Sequence, residues 1–133
     1  MKLEHVALYV DDLEAMRAFY CDQLGATVNA KYHNPTTGFE SYFLSFASGA
    51  RVEIMSHPET VVSDPVGGAG RHLKSLGYIH LVFSLGSRDA VDQKTRALAE
   101  AGFVVISQPR QTGDGYYESV ILDPEGNQIE LVA

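Results

Sequence analysis

HVALYVDDLEAMRAFYCDQLGA, residues 5–26, reads as a strand, a cap and a helix closed by a glycine. From Leu3 to Val10 polar and apolar residues alternate. Leu3, His5, Ala7 and Tyr9 fall on one face and Glu4, Val6, Leu8 and Val10 on the other, the period of a half-buried strand. Asp11 and Glu14 form a capping-box pattern that opens a helix. Leu13, Met16, Tyr20 and Leu24 make its apolar stripe, and Gly25 stops it. Three strands are expected next, at Thr27 to His33, Phe39 to Ala47 and Arg51 to Met55, separated by NPTTG and SGA. The unit reads βαβββ.

The second half repeats it. Tyr78 to Leu85 is a strand, Ser87 an N-cap, Arg88 to Ala101 a helix rich in Ala and Leu, and Gly102 its stop. Strands are expected at Phe103 to Ser107, Tyr116 to Leu122 and Gln128 to Val132, with DPEGN, residues 123–127, as a tight turn. The 133 residues thus form one domain of two repeats, 1–57 and 77–133. Residues 58–76, with two prolines and the run GGAG, join them as a linker.

The repeat carries chemistry with it. The interval from Gly25 to Glu53 equals that from Gly102 to Glu130, 28 residues in each. His5 and His80 open the two units. His5 points away from Val6 and Leu8, Glu53 from Val52 and Ile54, His80 from Ile79 and Leu81, and Glu130 from Ile129 and Leu131. The apolar neighbours cover the helix side of a sheet, which leaves all four polar groups on the opposite, concave face. Buried carboxylates are costly unless paired or metal-bound, so His5, Glu53, His80 and Glu130 are the candidate metal ligands. Two imidazole nitrogens and two carboxylate oxygens suit Ni²⁺ or Zn²⁺ above all, and Co²⁺, Mn²⁺ or Fe²⁺ after them. They are too few and too rich in nitrogen for Ca²⁺.

Composition excludes other classes. A formal charge of -7, from 10 basic against 17 acidic residues, opposes binding to nucleic acid. No apolar run approaches the roughly 20 residues that span a bilayer, and the N-terminus alternates instead of forming a signal-peptide core. No membrane partner and a cytoplasmic location are therefore expected. The one cysteine, Cys21, rules out an intrachain disulfide and reads as a packed thiol. His33, His57 and His72 lie in or beside loops, as surface or pocket-rim residues. Asp114 and Asp123 belong to turns, and GGAG lacks the strand, helix and acid of a dinucleotide fingerprint.

The opening HVALYVDDLEAMRAFYCDQLGA, the midpoint YIHLVFSL and the ending DPEGNQIELV resemble the vicinal oxygen chelate superfamily, which includes glyoxalase I, methylmalonyl-CoA epimerase, fosfomycin-resistance thiol transferases, extradiol dioxygenases and bleomycin-binding proteins. The resemblance implies an α+β fold in which paired βαβββ modules form a cupped mixed sheet with helices on the outer face. It also implies a homodimer whose metal sites are shared between chains. His5, Glu53, His80 and Glu130 match the four ligand positions of glyoxalase I. Oxygenases and fosfomycin-type members lack the acid at Glu53, and epimerases carry a glutamine there.

Four ligands around an octahedral ion leave two adjacent positions for a small substrate with vicinal oxygens. The metal would polarise a carbonyl and stabilise an enediolate, while Glu130 and Glu53, as the catalytic groups, shuttle a proton between neighbouring carbons. The expectation is a glyoxalase-like lyase or isomerase. The alternatives are an iron-dependent dioxygenase and a non-catalytic small-molecule binding protein of the bleomycin-resistance type. Glutathione-dependent members place an arginine and an asparagine where Tyr9 and His57 stand here, so a glutathione carboxylate would lose its bidentate partner.

Overall fold

The computed structural model describes residues 3–60 and 78–133. The chain divides into two compact units, Met1–Ser63 and Asp64–Ala133, and the fold is a mixed α+β one with one helix and one mixed sheet in each. The GGAG run, His72 and residues 61–76 of the expected linker lie outside the described residues. Among the described residues no helix is long and apolar enough to cross a membrane.

The first unit runs β1 (His5–Tyr9), α1 (Leu13–Leu24), β2 (Thr27–Val28), β3 (Tyr32–His33), β4 (Glu40–Ser45) and β5 (Arg51–Ser56). Its sheet has the order β1-β5-β4-β2, with β3 also on β4. Strands β1 and β5 are parallel and the other pairs antiparallel. Val52, Leu44 and Ile54 on the sheet and Leu13, Met16, Phe19 and Tyr20 on α1 form its buried core. Phe19 thus takes the place expected for Leu24, which is only half-buried near the helix end.

The cap of α1 also differs from expectation. Asp12, not Asp11, is the N-cap, with extended backbone and a side chain that accepts from the Ala15 amide at 2.9 Å. Glu14 therefore lies inside the first turn and its carboxylate is free to reach elsewhere. Lys31 Nζ approaches it to 2.8 Å and Arg17 Nε to 2.9 Å, and the Tyr42 hydroxyl donates to it at 3.0 Å. The lysine first, and then the arginine, hold its carboxyl down at about 2. A lowered carboxyl stabilises the fold above its unfolded value near 4.5, and that stability is lost as pH falls towards about 2. Glu14 is half exposed and solvent screens the pairs, so Glu14→Gln is expected to cost about 0.5–1 kcal/mol at pH 7. The deficit should vanish near pH 2 when urea midpoints of parent and variant are compared.

The expected strand from Thr27 to His33 is broken in two. The Asn29 side chain accepts from the Phe43 amide at 2.7 Å, and the Asn29 amide donates to the Phe43 carbonyl at 3.3 Å. A side-chain oxygen thus stands in for a ladder carbonyl, and regular pairing resumes only at Tyr32. The unit is βαββββ.

The second unit runs β6 (His80–Ser84), α2 (Arg88–Glu100), β7 (Val105–Gln111), β8 (Tyr117–Leu122) and β9 (Gln128–Val132), with sheet order β6-β9-β8-β7. Ser87 caps α2 as expected, accepting from the Ala90 amide at 3.2 Å. At the other end the Phe103 and Gly102 amides donate to Leu98 and Ala99, each at 3.0 Å, with Gly102 left-handed at φ 91°. This Schellman closure requires a residue without Cβ strain. Strand β7 is longer than expected and passes through Pro109, because it is an edge strand whose register shifts twice between Val105 and Arg110. Proline is tolerated where no ladder amide is needed. Thr95 of α2 bonds to Ser119 of β8 at 2.6 Å within the core, beside Val91, Leu98, Ile121, Ile129 and Leu131.

In the DPEGN turn, Asp123 Oδ1 accepts from the amides of Glu125 and Asn127 at 3.0 and 2.8 Å. Its role in the turn is as expected, although burial raises its pKa. By closing β8 onto β9 it sets Val120 opposite Glu130.

Candidate metal centre

Each unit brings one histidine and one glutamate together by the same construction. In the first, β1 and β5 are parallel with Ala7 opposite Glu53, so His5 sits one same-face position before the glutamate's partner. In the second, β6 and β9 are parallel with Val82 opposite Glu130, and His80 has the same offset. Side chains two apart on a strand share a face. The residues flanking the glutamates, Val52, Ile54, Ile129 and Leu131, are buried against the helix side, which leaves His5 with Glu53, and His80 with Glu130, on the opposite face of each sheet.

His5 Nε2 stands 3.6 Å from Glu53 Oε2, and His80 Nδ1 stands 3.8 Å from Glu130 Oε2. Neither separation is a hydrogen bond. Two donors that each bind one ion at about 2.1 Å stand roughly 3.0–3.4 Å apart, so a small side-chain rotation closes either pair on a cation. The glutamates are 16% and 15% exposed and the histidines 35%, an arrangement in which a cation can enter and still be partly shielded from water. Each pair therefore fits half of a nitrogen and oxygen coordination shell. Within the described residues no cluster of three His, Cys, Asp or Glu groups is assembled.

The surroundings of the two pairs differ. Phe43 lies opposite Glu53; the His5 ring meets it edge-on at 5.3 Å, and the Arg51 guanidinium lies 4.3 Å from its centroid. Glu4 bonds to both His5 Nδ1 and Arg51 Nη2, and the histidine contact first, with the arginine after it, holds the Glu4 carboxyl below its usual range. Around Glu130, burial raises the pKa, followed by the charge of Glu118, against the opposing pull of His80 and Arg110. Arg110 Nη1 pairs with Glu118 at 3.0 Å.

Glu4, Arg51, Glu118 and Arg110 were not legible as site residues, since a charge on an exposed strand face is ordinary. The other expected positions lie apart. His33 is on β3 and pairs with Glu40 at 3.2 Å. His57 Nδ1 accepts from the Glu59 amide at 3.1 Å in a turn. Cys21 is half-buried on α1.

The family model described as Glyoxalase/Bleomycin resistance protein/Dioxygenase superfamily matches residues 2–131. The uncharacterized protein YqjT of Bacillus subtilis is 31% identical over 137 residues, spanning 98% of this chain and 98% of that protein. The mitochondrial methylmalonyl-CoA epimerase of Bos taurus is 32% identical over 134 residues, spanning 98% of this chain and 73% of that protein. The crystal structure of a glyoxalase I mutant from Zea mays shares the fold with a TM-score of 0.78 at 19% identity, across 98% of this chain and 44% of that one. With a family match along nearly its whole length and a relative of almost equal span, the chain belongs to the glyoxalase/bleomycin resistance protein/dioxygenase superfamily.

Proposed function

We propose that the protein is a metal-dependent lyase or isomerase of glyoxalase type that moves a proton next to a carbonyl on a small substrate with vicinal oxygens. The observation that carries this reading is the doubled construction, an imidazole and a carboxylate at the same strand offset on the same face of each unit. His5, Glu53, His80 and Glu130 would hold one divalent ion, Ni²⁺ or Zn²⁺ first among them. When bound, that ion supplies Lewis acidity to the substrate carbonyl.

The chain's own carboxylates supply the proton transfer. Glu130 takes the proton from the carbon beside the carbonyl and returns it to the neighbouring carbon, and Glu53 serves the opposite side of the substrate. Partial burial, and after it the adjacent Glu118 charge, raise the pKa of Glu130 in the metal-free chain. Glutathione is not the expected thiol, because Tyr9 lacks the guanidinium fork that pairs with a carboxylate and the His57 ring is engaged in its turn. The active form would be a homodimer in which His5 with Glu53 comes from one chain and His80 with Glu130 from the other.

The test is α-proton exchange. Protein reconstituted with Ni²⁺, Zn²⁺, Co²⁺ or Fe²⁺ is expected to exchange the α-proton of a vicinal hydroxycarbonyl with deuterated solvent in at least one metal form, followed by NMR. Oxygen consumption by the Fe²⁺ form on a catechol would favour a dioxygenase instead. Saturable binding without exchange in every form would favour a binding protein.

A further inference from the structure

We propose that Glu4 and Arg51 are positioning residues that hold the His5 ring with its proton on Nδ1 and its Nε2 lone pair turned towards Glu53. The inference deepens the metal-site reading and rests on it. An ionised carboxylate can only accept hydrogen bonds, so where Glu4 meets His5 Nδ1 the proton belongs to the imidazole. The other nitrogen, Nε2, is the one that faces Glu53 at 3.6 Å, unprotonated in the neutral ring and ready for a cation. Metal-ligating histidines are commonly oriented in this way by a carboxylate on their far nitrogen, which fixes the tautomer and raises ligand basicity.

Glu4 needs its own anchor, because its side chain is 59% exposed and lies just outside the strand. Arg51 supplies it. It is the strand partner of His5, donates to the second Glu4 oxygen, and rests on the Phe43 ring that also meets the His5 edge. Carboxylate, guanidinium, imidazole and phenyl thus form one closed circuit on the face of the first sheet. Among the described residues the second unit has no counterpart. Ile79 stands where Glu4 does, and Gln128 is the partner of His80 as Arg51 is of His5. His80 accordingly presents Nδ1, not Nε2, to its glutamate. Among the described residues, only the first of the two histidines is held by a charged pair.

Two readouts test this on the full-length protein. Competition titration with Ni²⁺ and Zn²⁺ should show a 10–100-fold weaker affinity for Glu4→Ala, a smaller loss for Arg51→Ala, and partial recovery for Glu4→Gln, whose amide oxygen still accepts from Nδ1. Nitrogen-15 histidine spectra of the metal-free protein at pH 8 should show His5 protonated on Nδ1 in the parent and shifted towards the Nε2-protonated form in Glu4→Ala. Unchanged affinity and unchanged tautomer in Glu4→Ala, with metal lost in His5→Ala, would overturn the positioning role and leave the metal site standing. Metal retained in His5→Ala would instead refute the ligand assignment, and the tautomer measurement would still decide whether Glu4 orients the ring.

Discussion

Glu130→Gln is expected to lower the rate of α-proton exchange by about 10² to 10⁴, the usual cost of removing a positioned general base. The amide keeps an oxygen donor in the same place, so most of the bound metal should remain. That separates the two duties assigned to Glu130. Metal content and exchange rate measured on one preparation give the answer directly: a large rate loss at near-parental metal content supports Glu130 as the base. A rate within threefold of the parent would remove it from the mechanism. Tyr9→Phe, on the same face two positions beyond Ala7, should change the rate little by comparison.

The second large effect is on metal binding. His5→Ala and His80→Ala each delete a proposed donor, and each should weaken affinity by more than the roughly 10–100-fold that loss of a supporting partner costs. A thermodynamic readout is independent of turnover. Metal at a hundred times its Kd stabilises a folded protein by about 2.7 kcal/mol, so its addition should raise the melting temperature of the parent and leave both variants nearly unmoved. Mixing the two variants after mild dissociation tests the shared site. Some heterodimers would then keep all four ligands in one centre and regain the metal-dependent shift. No recovery on mixing, in variants that do form heterodimers, would place each centre within a single chain.

The placement of His5, Glu53, His80 and Glu130 on the sheet face away from the helix is legible in the amino-acid sequence alone, because apolar neighbours on a period of two must face the helix and leave the alternate residues on the other side. The helix closures at Gly25 and Gly102 and the turn at Asp123 are equally local, depending on backbone conformations and caps that a few adjacent residues decide. Local chemistry errs where two residues compete. Asp11 and Asp12 are equally good caps in isolation, and Asp12 prevails with the Ala15 amide as its partner.

What required the tertiary structure was every relation across strands. The parallel pairing of β1 with β5 and of β6 with β9 sets each histidine diagonally beside its glutamate, and nothing within either strand states which partner it will have. The same pairing carries Arg51 to His5, and the β7–β8 register sets Arg110 against Glu118. Asn29 interrupts a strand only because Phe43 lies opposite, and Pro109 sits inside a strand only because that strand is an edge. The sequence by itself thus determined which polar residues lie on the sheet face away from the helices, since facing follows from periodicity. Which of them touch, through which atom, and with what supporting charge was decided by register, a long-range property that residues distant in the chain settle together.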